Sequence, residues 1–120
     1  MIIGTGIDIV ELDRIENIVK RQPRFVERIL TDNEKRFFET YSKTRKIEFL
    51  AGRFAAKEAF VKAMGTGISK SYSWHDIEIL KEESGKPTLV VAGLQSYIHL
   101  SISHSRNYAV AQVIIESSSS

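Results

Sequence analysis

Apolar and polar positions alternate with a period of two at the start of the chain. Ile3, Thr5, Ile7 and Ile9 fall on one face of a strand running from Ile2 to Val10, and Gly4, Gly6 and Asp8 on the other. Two glycines beside an acid leave room for something to approach that backbone. The period then lengthens. Leu12, Ile15, Ile18 and Val19 make the buried stripe of a helix from Glu11 to Gln22, stopped by Pro23. Arg24 to Leu30 reads as a short helical piece. Thr31-Asp32-Asn33-Glu34 is a capping box that opens a helix through Tyr41. The longest helix runs from Lys46 to Met64 and stops at Gly65-Thr66-Gly67. Beyond it come strands at Asp76–Lys81, Thr88–Val91, His99–Ser103 and Tyr108–Ile115, with Ser84-Gly85-Lys86-Pro87 as a hairpin turn. One strand, then helices, then hairpin-linked strands predicts an α+β fold: a long central helix and shorter helices on a mainly antiparallel sheet. Without repeats or a linker, residues 1–116 read as one domain, and 117–120 as a polar serine tail expected to fray.

On the long helix, at 100° per residue from Ile47, residues Leu50, Ala51, Phe54 and Val61 form one apolar stripe. Glu58 falls near the middle of it. Phe49, Ala56, Phe60 and Ala63 make a second apolar face opposite, and Arg53 and Lys57 a basic strip between. A carboxylate among apolar neighbours is costly unless paired or bound to a metal. Two readings follow. In one, Glu58 makes an i,i+4 ion pair with Lys62. In the other it ligates a metal or acts as a base, with Lys57 and Lys62 as cationic neighbours, a mixture suited to a metal bridging to phosphate. Asp8 could supply a second carboxylate, or simply favour the start of the next helix through its dipole. No spacing rule joins positions 8 and 58.

The chain has 120 residues, 42% apolar and 27% charged, and no cysteine. That excludes thiol catalysis, thiolate zinc and disulfide scaffolds. No stretch reaches the roughly 18 apolar residues of a membrane span, and the start lacks a signal-peptide pattern, so the expected location is the cytoplasm. Net charge is only +2, but the basic residues cluster: Lys20, Arg21, Arg24 and Arg28, then Lys35, Arg36, Lys43, Arg45 and Lys46. Such clusters are either solvated helix faces or attractors for nucleic acid, a phosphorylated small molecule or an acidic protein. Gly65-Thr66-Gly67 is first of all a helix C-cap; it lacks the Lys-Ser/Thr of a P-loop. His104 alternates with Leu100 and Ile102, as a core histidine would. His75, His99 and His104 lack zinc spacing, no nucleophile elbow surrounds the serines, and Trp74 reads as packing.

Three stretches together resemble one family. They are Gly4-Thr5-Gly6-Ile7-Asp8-Ile9-Val10-Glu11; Arg53-Phe54-Ala55-Ala56-Lys57-Glu58-Ala59-Phe60 running into Lys62-Ala63-Met64-Gly65-Thr66-Gly67; and Ser101-Ile102-Ser103-His104-Ser105 with Tyr108-Ala109. The family is holo-acyl-carrier-protein synthase, the small bacterial type of 4′-phosphopantetheinyl transferase. The likeness covers residues 1 to about 115 in the expected order.

The resemblance implies transfer of the 4′-phosphopantetheine arm of coenzyme A to a serine of apo acyl carrier protein. Adenosine 3′,5′-bisphosphate is released, and the holo-carrier serves fatty acid biosynthesis. It implies Mg²⁺ on Asp8 and Glu58, and Lys62 near the pyrophosphate. Proton removal falls to Glu58 or to a metal-bound water. It implies Arg45, Arg53 and His104 as ligands of the 3′-phosphate, Gly85-Lys86-Pro87 near the adenine, and Gly65 and Gly67 beside the donor. Thr44 stands where some relatives carry lysine, and Ser69 where glycine is frequent. Arg14, Arg21, Arg24, Phe25 and Arg28 would dock the acidic carrier protein. The family is homotrimeric with sites between subunits, and the apolar strands near 99–103 and 108–115 are plausible interface material. Neither nucleic acid nor membrane is an expected partner. An RNA-binding module, the main alternative on the basic helices, leaves Glu58 unexplained and lacks an RNP pattern. A nucleotide-dependent Mg²⁺ phosphotransferase is a second alternative, disfavoured by the missing P-loop.

Overall fold

The computed structural model describes residues 1–66 and 71–118. The chain runs β1 (Ile2–Glu11), α1 (Leu12–Arg21), α2 (Arg24–Ile29), α3 (Asp32–Thr40), α4 (Lys43–Met64), a 3₁₀ turn (Trp74–Asp76), β2 (Ile77–Lys81), β3 (Pro87–Val91), β4 (Tyr97–His104) and β5 (Tyr108–Glu116). The fold is α+β, as the pattern predicts. The strands form two antiparallel sheets, a three-stranded one in the order β1-β5-β4 and the β2-β3 hairpin, which lies beside β4. In the larger sheet Asp8 pairs with Ala111 and Ala111 with Ile102, so β1 and β4 are its two edges.

Local chemistry sets the element ends. Thr31 and Glu34 form the expected capping box, each side chain meeting the other's backbone N–H. Helix α4 begins three residues before the expected Lys46, because the Ser42 hydroxyl accepts from Arg45 N–H at 3.3 Å and caps it. It ends at Gly65, whose φ of 76° closes a left-handed C-cap. Its neighbour Gly67 lies outside the described residues.

The core lies between α4 and the three-stranded sheet. A Cβ on Gly4 would collide with the carbonyl oxygen of Ala63, and one on Gly6 with that of Ala59. What approaches the glycine face of β1 is therefore the backbone of α4, which seats its small residues there. The isoleucine face is left outside: Ile3, Ile7 and Ile9 are 55%, 60% and 60% exposed. Helix α4 is buried almost all round, with Phe49, Leu50, Ala55, Ala56, Ala59, Phe60 and Val61 in the core. Among the described residues no helix is long and apolar enough to cross a membrane.

Candidate active site

Two polar clusters flank α4. The first joins β1 to the second half of the helix. Lys62 Nζ donates to Asp8 Oδ1 at 2.9 Å and to the Ile7 carbonyl at 3.1 Å. Asp8 side-chain exposure is 15%, against 52% for Lys62. Glu58 is half-buried beside them. Burial, and then the negative charge of Asp8, raise its carboxyl pKa; the nearby Lys62 and Arg14 only partly offset this. Two residues far apart in the sequence thus present carboxylates close enough to repel each other. The local ion pair considered for Glu58 is not formed, since Lys62 turns to Asp8.

Asp8 and Glu58 fit a small hard cation. Mg²⁺ takes one or two protein carboxylates and completes its shell with water and phosphate oxygens. No group of three or more His, Asp or Glu arranged to hold a metal occurs among the described residues. The donor set therefore suits a hydrated, substrate-shared ion better than zinc or a caged calcium.

Lys57 departs from the expected basic strip and is not a neighbour of that acid. It is fully buried, and its ammonium donates to Glu34 Oε1 (2.7 Å), the Ile29 carbonyl (2.7 Å) and the Trp74 carbonyl (3.1 Å). Burial pushes its pKa down, and Glu34 pulls the other way. Among the described residues the fully buried ion pair is Glu34–Lys57, linking α2, α3, α4 and the 3₁₀ turn. The capping box marked Glu34, but nothing local marked its partner on α4.

The second cluster lies on the other flank, by the β4 edge. A cleft of about 190 Å³ is lined by Tyr41, Arg45, Arg53, Gly85, Pro87 and His104, with Glu48 and Lys81 also at its wall. Sites enclosing a whole drug-sized ligand span roughly 300–1,000 Å³, so this cleft is smaller than a site that encloses one. Arg53 is only 8% exposed and stacks over the Phe49 ring at 4.0 Å, yet its Nε has no hydrogen-bond partner. Burial lowers its pKa, with Glu34 and Tyr41 opposing. A guanidinium remains charged, and a buried one with an unused donor is a ready anion ligand. Glu48 sits between Arg45 (3.8 Å) and His104 (3.6 Å). His104 is thus no core residue; its side chain is 44% exposed at the cleft. Lys86 faces a neighbouring groove with His99 and Ser101 instead. Tyr41 and Lys81, which the sequence did not single out, are brought here by α3 and β2.

Of the residues expected to meet a carrier protein, Arg14, Arg21, Arg24 and Arg28 are exposed on α1 and α2. Phe25 is not: it is 8% exposed and packs on Phe54 with ring centroids 5.9 Å apart. Helix α2 turns its apolar face, Phe25 included, onto α4. Trp74 is packing, as read, stacked on Phe54 at 5.3 Å.

The sequence profile of the 4′-phosphopantetheinyl transferase superfamily matches residues 4–113. The holo-[acyl-carrier-protein] synthase of Halalkalibacterium halodurans is 62% identical over 120 residues, all of both chains. A solved holo-(acyl-carrier-protein) synthase from Bacillus anthracis, in complex with CoA (3′,5′-ADP), superposes with a TM-score of 0.92 at 52% identity, covering 98% of this chain and 99% of that one. The Helicobacter pylori enzyme, in complex with coenzyme A, gives 0.83 at 35% identity over 93% and 99%. The chain therefore belongs to the holo-acyl-carrier-protein synthases, an enzyme family of the 4′-phosphopantetheinyl transferase superfamily.

Proposed function

We propose that this chain transfers 4′-phosphopantetheine from coenzyme A to a serine hydroxyl of an apo acyl carrier protein, with Mg²⁺, releasing adenosine 3′,5′-bisphosphate. The observation that carries the reading is the convergence of Asp8 and Glu58, with Lys62 at the same point, in a chain whose relatives include coenzyme A complexes. In the reaction the serine oxygen bonds to the phosphorus that bears the pantetheine arm, and the bond from that phosphorus to the bisphosphate breaks. Asp8 and Glu58 would hold the cation, which supplies charge neutralisation on the pyrophosphate. Lys62, on a flexible and half-exposed stem, can reach the oxygen that gains charge as the leaving group departs. Glu58, whose carboxyl pKa is raised by burial and by Asp8, is the protein group that would take the serine proton.

The second cluster receives the far end of the donor: Arg45, Arg53 and His104 the 3′-phosphate, Gly85 and Pro87 the adenine. Geometry supports sites shared between subunits. Arg53 and Glu58 are five residues apart on α4, a rotation of about 140° and an advance of about 7.5 Å. They open on opposite flanks, one toward the β1 edge and one toward β4. A donor spanning both kinds of group is served by one cluster from each of two adjoining chains. The outward apolar face of β1 and β5, with Ile3, Ile7, Ile9 and Tyr108, suits burial in a homotrimer. Arg14, Arg21, Arg24 and Arg28 give an acidic carrier a basic docking surface that mainly speeds encounter. The setting is cytoplasmic fatty acid biosynthesis.

The test is to mix the protein with coenzyme A, Mg²⁺ and an apo acyl carrier protein and read the carrier's intact mass. A phosphopantetheine adduct on one serine is expected. Its absence, with RNA retained by the protein at physiological salt, would instead favour the binding-module alternative. Light scattering on the same sample is expected to give three chains per particle, and a monomer would undo the shared-site reading.

A further inference from the structure

We infer that Lys62 guards Asp8 against the cation, so that the free protein binds a divalent metal weakly and takes it up together with the anionic donor. The inference rests on the proposed metal pair and adds an order of binding to it.

The contact between Lys62 Nζ and Asp8 Oδ1 is direct, at 2.9 Å, and steadied by the Ile7 carbonyl at 3.1 Å. The lysine reaches across from α4 to β1 to make it, instead of pairing with Glu58 one turn away on its own helix. Asp8 has little free surface, with its side chain 15% exposed, and the ammonium occupies one of its two oxygens. A cation ligated by Asp8 would therefore meet a like charge on the same carboxylate, a repulsion that weakens its binding. Among the described residues Arg14 is a further cationic group near the acids, acting on Glu58. A polyanion changes this balance. Phosphate oxygens offer Lys62 a new partner, and its side chain is free to swing because half of it is in solvent. Moving the ammonium onto a phosphate frees the Asp8 oxygen for the metal, and the metal in turn neutralises that phosphate. The two ligands then help each other bind, and by linkage each raises the affinity of the other by the same factor.

Lys62→Met keeps the stem and removes the charge. Mn²⁺ is a spectroscopic substitute for Mg²⁺, and its binding is read by electron paramagnetic resonance, which needs no turnover. The parent is expected to bind Mn²⁺ weakly alone and at least about tenfold more tightly with adenosine 3′,5′-bisphosphate or coenzyme A present. The methionine variant is expected to bind Mn²⁺ alone about tenfold more tightly than the parent, and to show a smaller enhancement by the nucleotide than the parent does. Equal or weaker binding by Lys62→Met, with Asp8→Asn abolishing the parent's binding, overturns the guarding role and leaves the metal pair standing. If Asp8→Asn leaves Mn²⁺ binding unchanged, or no protein binds it at millimolar concentration, the metal pair itself is wrong and the inference falls with it.

Discussion

Glu34→Ala is expected to lower the melting temperature by roughly 10–25 °C, about 3–5 kcal/mol on a domain of this length. Glu34 is 1% exposed, and both its oxygens are engaged. Oε1 accepts from Lys57 Nζ (2.7 Å) and from Thr31 N–H (2.9 Å), and Oε2 accepts from Ile79 N–H (2.8 Å). Truncation leaves a fully buried ammonium held only by the Ile29 and Trp74 carbonyls, an unpaired N–H on β2, and an α3 without half of its capping box. Breaking a buried pair from one side costs more than the pair contributes, because the remaining charge is left buried without its counter-charge. The pH dependence has a defined sign. Burial already sets the folded Lys57 pKa below its unfolded value, and removing Glu34 lowers it further. Between that folded value and 10.5 the unfolded chain binds more protons, so raising the pH stabilises the fold. The deficit relative to the parent should therefore narrow as pH rises toward 10. Thermal denaturation across pH 7 to 10 checks this, and a melting point within a few degrees of the parent at pH 7 would contradict it.

The difference between Glu34–Lys57 and Glu58 shows what the sequence can and cannot carry. The elements were legible because their signals are local: Pro23 and Gly65 stop helices, Thr31 and Glu34 cap one, and alternation marks β1 and β5. Ser42 was missed as a cap because Arg45, three residues on, is not the acid of a capping box, although the hydroxyl bonds there all the same. The wheel for α4 put Glu58 in an apolar stripe and Lys57 between faces, whereas Lys57 is fully buried and Glu58 half-exposed. A helix packed on nearly every side has no polar face to fix its rotation, so periodicity cannot say which charge points inward. The alternation of β1 likewise gave two faces without saying which one the core takes. The answer lay in α4, whose backbone needs glycines at 4 and 6. For the site, positions 8, 58 and 62 were joined by resemblance alone. Their meeting is tertiary, made by β1 running under the end of α4.

Asp8→Asn and Glu58→Gln are each expected to lower kcat/KM for carrier modification by about 10²–10³-fold or more while the fold survives, the range for losing one preorganised electrostatic partner of the reacting charge. Stability should separate the two variants. Glu58 has a raised folded pKa, so the folded state binds more protons than the unfolded one between 4.5 and that value. Stability falls as pH rises through this window, and the penalty is complete above the folded pKa. Glutamine removes the charge that burial and Asp8 oppose. Glu58→Gln should thus melt above the parent at pH 7 and lose that advantage on acidification. Asp8→Asn gives up the ion pair with Lys62, whose side chain is 52% exposed, and exposed pairs contribute only about 0–1 kcal/mol. It also relieves the repulsion on Glu58, so its melting point should stay close to the parent's. A carrier-mass time course and a melting curve on each variant decide the matter. Near-parental rates in either would remove that carboxylate from the chemistry. Glu58→Gln melting below the parent would mean the site does not hold two mutually repelling acids. Loss of rate joined to gain of stability would be the signature of a charge kept, against the preference of the fold, for the reaction.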